Sequence, residues 1–112
     1  MPLIFAYGSL RQEEVQRSIL GRALNGHPDD LVGFERGSVK IEAANVDNEA
    51  ARTHHANVIK TDDHNTRISG MVFEITAAEL AKLDRYEAEF SYKRVPTTLA
   101  SGGEAWVYVH SS

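Results

Sequence analysis

An apolar run, Pro2-Leu3-Ile4-Phe5-Ala6, breaks at Tyr7-Gly8-Ser9-Leu10 and gives way to a helical pattern from Arg11 to Leu20. The run is short and free of charge, as a buried strand is. The segment after it is polar apart from Val15, Ile19 and Leu20, a narrow stripe with i, i+4 spacing. Ser9 reads as the N-cap of this helix, Gln12 as its capping-box partner and Gly21 as its stop. A strand that turns directly into a helix brings unpaired backbone N–H groups to one point. That point attracts a negative group.

The remaining pattern is one of strands around a second helix. Leu31 to Ala43 reads as a strand bent at Gly37, or as a hairpin there, and Asn45 to His55 as a polar loop. Ala56 to Lys60 and Ile68 to Ile75 read as strands separated by the turn Asp62-Asp63-His64-Asn65. Thr76 and Glu79 form a capping box, with Ile75 and Leu80 as its hydrophobic staple. This helix runs to Glu87 or Ala88. Tyr92 to Leu99 and Glu104 to Val109 make a hairpin across Ser101-Gly102-Gly103. The expectation is one α+β domain over residues 1–112, with a mainly antiparallel, curled and barrel-like sheet and two helices.

At 112 residues the chain suits one core and buries roughly two thirds of its unfolded surface. It has no cysteine, which excludes disulfides and thiolate zinc sites. Without a visible signal peptide or an apolar run long enough to span a bilayer, a cytoplasmic location is expected. The net charge of −4 offers no basic field for a phosphate backbone, so nucleic acid is not expected as a partner.

The second helix carries the chemistry. At about 100° per residue, Glu87 projects between Leu80 and Leu83, toward the core. It also lies in the last turn, where the helix dipole opposes negative charge. A carboxyl in such a place is suited to take up and return a proton near neutral pH. Asp84, on the same face, competes for that role. The structural alternatives are a frayed terminal Glu87 that curls out to solvent, or a salt bridge from it to Lys93 or Arg94.

Tyr7-Gly8-Ser9-Leu10, then Leu83-Asp84-Arg85-Tyr86-Glu87 and Tyr92-Lys93-Arg94, together resemble the γ-glutamylcyclotransferase-like family, in its short AIG2-like branch. The resemblance covers essentially the whole chain. Family members often have Gly after the glutamate, where this chain has Ala88. The resemblance implies an enzyme that cyclises a small γ-glutamyl amine or amide to 5-oxoproline and releases the amine. It implies Glu87 as general acid and base, and Tyr7, Gly8, Ser9, Leu10 and Tyr92 as substrate-binding residues. Arg94 is a further candidate, to pair with a carboxylate or to hold Glu87. No cofactor or metal is expected.

Other readings stay open at this stage. Tyr7 and Tyr92 serve equally well as core aromatics. His54, His55 and His64 sit in polar loops without a metal-binding spacing, and Trp106 and Tyr108 alternate on a strand face. A different transferase or cyclase in the same pocket is one alternative function. A non-catalytic module that binds a glutamyl metabolite or a protein partner is another. The leaving amine and the oligomeric state are not legible, and the 43–63 region carries no readable motif.

Overall fold

The computed structural model describes residues 1–38, 56–63 and 65–110. Strand β1 is Leu3–Ala6, and a 3₁₀ turn, Ser9–Arg11, leads to helix α1, Glu13–Leu20. Strands β2, Gly26–Val32, β3, Phe34–Ser38, β4, Ala56–Lys60, and β5, Arg67–Glu74, follow. Helix α2, Ala77–Ala88, and strands β6, Tyr92–Thr98, and β7, Glu104–His110, complete the described chain.

Five strands form one sheet in the order β2-β5-β1-β7-β6, and β3 and β4 form a separate two-stranded ribbon. Every pairing is antiparallel except that of β1 with β7, which meet in parallel at Ile4 and Trp106. The five-stranded sheet curls until its outer strands approach. Leu31 bridges Leu99, and the Ala100 N–H donates to the Asp30 carbonyl at 2.9 Å. Ser101 Oγ closes the same seam on Asp29 Oδ2 at 2.6 Å. The sheet is therefore mixed and barrel-like, with two helices among the described residues.

Strand alternation divides the core in two. Ile4, Ala6, Phe73, Trp106 and Tyr108 face the helices, where they meet Leu10, Val15, Leu80 and Leu83. Phe5, Tyr7, Val72, Ala105 and Val107 face the opposite way, toward Phe34 and Val58 of the ribbon. Helix α2 starts as its sequence dictates. Thr76 Oγ1 accepts from the Glu79 N–H at 3.1 Å, and Glu79 Oε1 accepts from the Thr76 N–H at 2.9 Å. Ile75 and Leu80 are both buried in the core beneath it. Glu79 also takes a two-pronged bond from Arg22, at 2.7 and 2.8 Å, which ties the end of α1 to the start of α2.

Three expectations are corrected. Ser9 does not cap α1: it begins the buried 3₁₀ turn, and α1 starts after an extended Gln12 that makes no side-chain cap. Gly21 does end α1, at φ 78° in the left-handed region. The break in the next strand falls at Gly33, φ 79°, where β2 passes to β3. Gly37 stays inside β3, opposite Asn57. Strand β2 also begins at Gly26, five residues earlier than its apolar pattern suggests, because β5 pairs with all of it. The expected end of the strand near Ala43, the loop from Asn45 to His55, and His64 lie outside the described residues.

Candidate active site

Strand β1 touches β7 at a single registered pair and then leaves the sheet through Tyr7-Gly8-Ser9-Leu10. The gap it leaves beside β7 is a small pocket that opens to solvent. Its walls are Tyr7 to Leu10, Tyr92, Tyr108 and Glu87. Elements some eighty residues apart in sequence thus meet, and each for a local reason. Leu80 and Leu83 bury one stripe of α2, and Glu87 lies on that stripe one turn further along. The Glu87 side belongs to the interior, with 6% of the residue exposed.

Three phenols, Tyr7, Tyr92 and Tyr108, line the pocket with the carboxylate. Tyr7 donates from its hydroxyl to the Tyr108 carbonyl at 2.6 Å, which pins the start of the turn to β7. Tyr108 donates to Asp84 Oδ1 at 2.8 Å. Burial pushes the Tyr92 hydroxyl up to about 12, with the neighbouring charge of Glu87 as the second cause. Burial is also the first cause of the rise at Tyr7 and Tyr108, followed at Tyr7 by the Tyr92 and Glu87 charges and at Tyr108 by the bond to Asp84. All three phenols therefore stay protonated through neutral pH. They can donate hydrogen bonds but do not accept protons there. Glu87 is the carboxylate on the pocket wall among the described residues.

The turn supplies amide groups. Its first hydrogen bond runs from the Arg11 N–H to the Gly8 carbonyl at 3.2 Å, so Gly8 and Leu10 precede the donors that the turn itself consumes. The attraction expected from a helix N-terminus acts elsewhere, because α1 begins at Glu13 and carries Glu13 and Glu14 in its first turn. The pocket is lined by residues of this turn and not by the start of α1.

Asp84 and Arg94 are engaged with each other. Arg94 Nε and Nη2 each reach an Asp84 oxygen at 3.0 Å, and the guanidinium lies 4.2 Å from the Trp106 ring centroid. Both line a shallow groove outside the Glu87 pocket. Asp84 is thus a partner of Arg94 and Tyr108 rather than a second base on the pocket. Ala88 is helical, and the left-handed residue of this region is Ser91, φ 64°. Among the described residues no three His, Asp or Glu side chains gather to hold a metal, and His54, His55 and His64 lie outside them.

One residue behind the site is missed when only apolar residues are counted along its helix. The stripe of Val15, Ile19 and Leu20 omits Gln16, yet at about 100° per residue Gln16 falls between Ile19 and Leu20 and inside the buried arc. It is 3% exposed and bonded to the carbonyl of Leu10.

Fold and sequence agree on a class. Residues 4–112 match the family model described as gamma-glutamyl cyclotransferase, AIG2-like, and the chain belongs to that family. Two Arabidopsis thaliana proteins solved in solution share the fold, with TM-scores of 0.73 and 0.74 at 21% and 23% identity. The match takes in 97% of this chain in both cases, and 68% and 61% of theirs. A structure named gamma-glutamyl cyclotransferase aligns with a TM-score of 0.69 and 17% identity, over 99% of this chain and 67% of its own. This chain therefore spans about two thirds of the length of these structural relatives or less. No curated protein matches the sequence.

Proposed function

We propose that the chain cyclises a small γ-glutamyl amine or amide to 5-oxoproline and releases the amine, with Glu87 as general acid and base. The observation that carries this reading is that buried Glu87 and the Tyr7–Leu10 turn line one pocket, among phenols that stay protonated.

The chemistry follows from the substrate. Its α-nitrogen attacks its own γ-carbonyl carbon, a C–N bond forms and a five-membered ring closes. Much of the acceleration of such an intramolecular step comes from holding the folded-back conformer. The α-nitrogen starts as an ammonium and ends as a lactam N–H, so it loses two protons. The leaving nitrogen gains two as its bond to the γ-carbon breaks and it departs as an ammonium. Water takes the first proton from the ammonium; Glu87 takes the second from the attacking nitrogen and returns it to the leaving nitrogen, which gains its last proton from water. The turn amides and the Tyr92 hydroxyl are donors for the substrate's oxygens.

The test is a panel of γ-glutamyl amines, amino acids and peptides, with 5-oxoproline as the readout. Release of 5-oxoproline from at least one member is expected. Suppose instead that no compound is turned over, yet one protects the fold against heat. Ligand linkage without chemistry would then make the chain a binding module.

A further inference from the structure

Gln16 joins the two segments on either side of its helix. Its Nε2 donates to the Leu10 carbonyl at 2.8 Å, and its Oε1 accepts from the Leu24 N–H at 2.8 Å. Only one orientation of the amide satisfies both, since a carbonyl needs a donor and an N–H needs an acceptor. The bond to Leu10 fills a gap between two ladders. The 3₁₀ turn uses the carbonyls of Gly8 and Ser9, and the first bonds of α1 go to Gln12. The Leu10 carbonyl falls between them and takes its hydrogen from Gln16.

The consequence is a locked peptide plane. The Leu10–Arg11 peptide has its N–H on the Gly8 carbonyl and its C=O on Gln16. With both ends held, the plane cannot rotate, and the preceding amides of the turn keep their place on the pocket wall. We infer that Gln16 is a positioning residue for the pocket: it holds the Gly8–Leu10 amides where a substrate oxygen needs donors. The inference deepens the γ-glutamyl reading and rests on it. Donors aimed before the reaction begins are worth far more than donors that must first be ordered.

Two variants test it. Gln16→Met keeps the side-chain length and removes both hydrogen bonds. Gln16→Glu keeps the acceptor for Leu24 and, when ionised, removes the donor to Leu10. Turnover of a γ-glutamyl amine is resolved into kcat and KM, beside melting temperature and the proton–nitrogen correlation spectrum of Gly8–Arg11. In a folded variant kcat should fall roughly 10- to 100-fold, within the range for a mispositioned or lost donor. KM should change little, and the Gly8–Arg11 signals should move. If melting temperature drops while kcat and those signals stay put, Gln16 is only structural and the inference is overturned. If Gln16→Glu does not fold, Gln16→Met decides alone. If the wild type releases no 5-oxoproline from any γ-glutamyl compound, the reaction assigned to the pocket falls. The spectrum of folded Gln16→Met then decides separately: displaced signals uphold the hold on the turn, and undisplaced signals overturn it.

Discussion

Two carboxylates one turn apart on α2 have opposite surroundings. Asp84 answers the two Arg94 nitrogens and the Tyr108 hydroxyl, while Glu87 faces the pocket among phenols. Removing Asp84 therefore tests packing more than chemistry. Asp84→Ala should destabilise the fold by about 1–2 kcal/mol, the lower part of the range for charged hydrogen bonds, because the pair is partly exposed. Urea unfolding measures this. Turnover in the same variant should survive better than in any variant of Glu87. A stable Asp84→Ala protein with turnover abolished would assign the proton transfer to Asp84 instead. At this scale the sequence was informative where side-chain periodicity decides burial, as at Leu83 and Glu87. It did not reveal the partners of Gln16, which are backbone groups on either side of its own helix.

Helix α2 is the element most fully written in local sequence, because each of its start signals involves neighbours within five residues. The capping box and staple form as read. Arg22 adds a long-range bond to the same Glu79, and that bond, first among several causes, holds the Glu79 carboxyl at about 2 against an ordinary 4.5. The sign is that of a depressed acid. Its stabilisation is complete above the unfolded value and drains away as pH falls from about 4.5 toward 2. Urea midpoints of wild type and Glu79→Gln should therefore differ most near neutral pH and converge by about pH 2. A constant difference across that window would remove Glu79 as the titrating group. The end of α2 has its own constraint. Ser91 sits at φ 64°, and its N–H donates to the Ala88 carbonyl at 3.1 Å as the chain turns into β6. A β-branched side chain is strained there, whereas asparagine tolerates the region. Ser91→Val should lower stability by about 1 kcal/mol or more, and Ser91→Asn should be close to neutral, as judged by thermal unfolding. Equal stability of the two would show that the turn relaxes.

The molecule as a whole is set by pairings the sequence pattern does not announce. Strand β2 reads Gly26-His27-Pro28-Asp29-Asp30 over most of its length, without alternation, and is a strand because β5 lies beside it. Asp29 and Asp30 then close the sheet onto the hairpin after β6. Local propensity has no access to such closure. The same holds for the break of β1 from β7, which opens the pocket and brings Tyr7 to the Tyr108 carbonyl. The Tyr7–Leu10 turn and Glu87 are each legible from local pattern, but that they serve one site comes from the resemblance of the Tyr7–Leu10 and Leu83–Glu87 motifs to a known family. The 3₁₀ turn within the first of these walls is not legible, since Ser9 looks like a cap and is a buried turn residue.

The central claim is that the Glu87 carboxylate moves the proton. Glu87→Gln preserves size and most hydrogen bonding but cannot take up a proton at neutral pH. On a γ-glutamyl substrate that the wild type converts, kcat for 5-oxoproline release should fall by roughly 10²- to 10⁴-fold, the usual share of general acid–base catalysis. Substrate affinity, measured by calorimetry on the slow variant, should be nearly unchanged. A folded Glu87→Gln protein that releases 5-oxoproline at the wild-type rate would contradict the account.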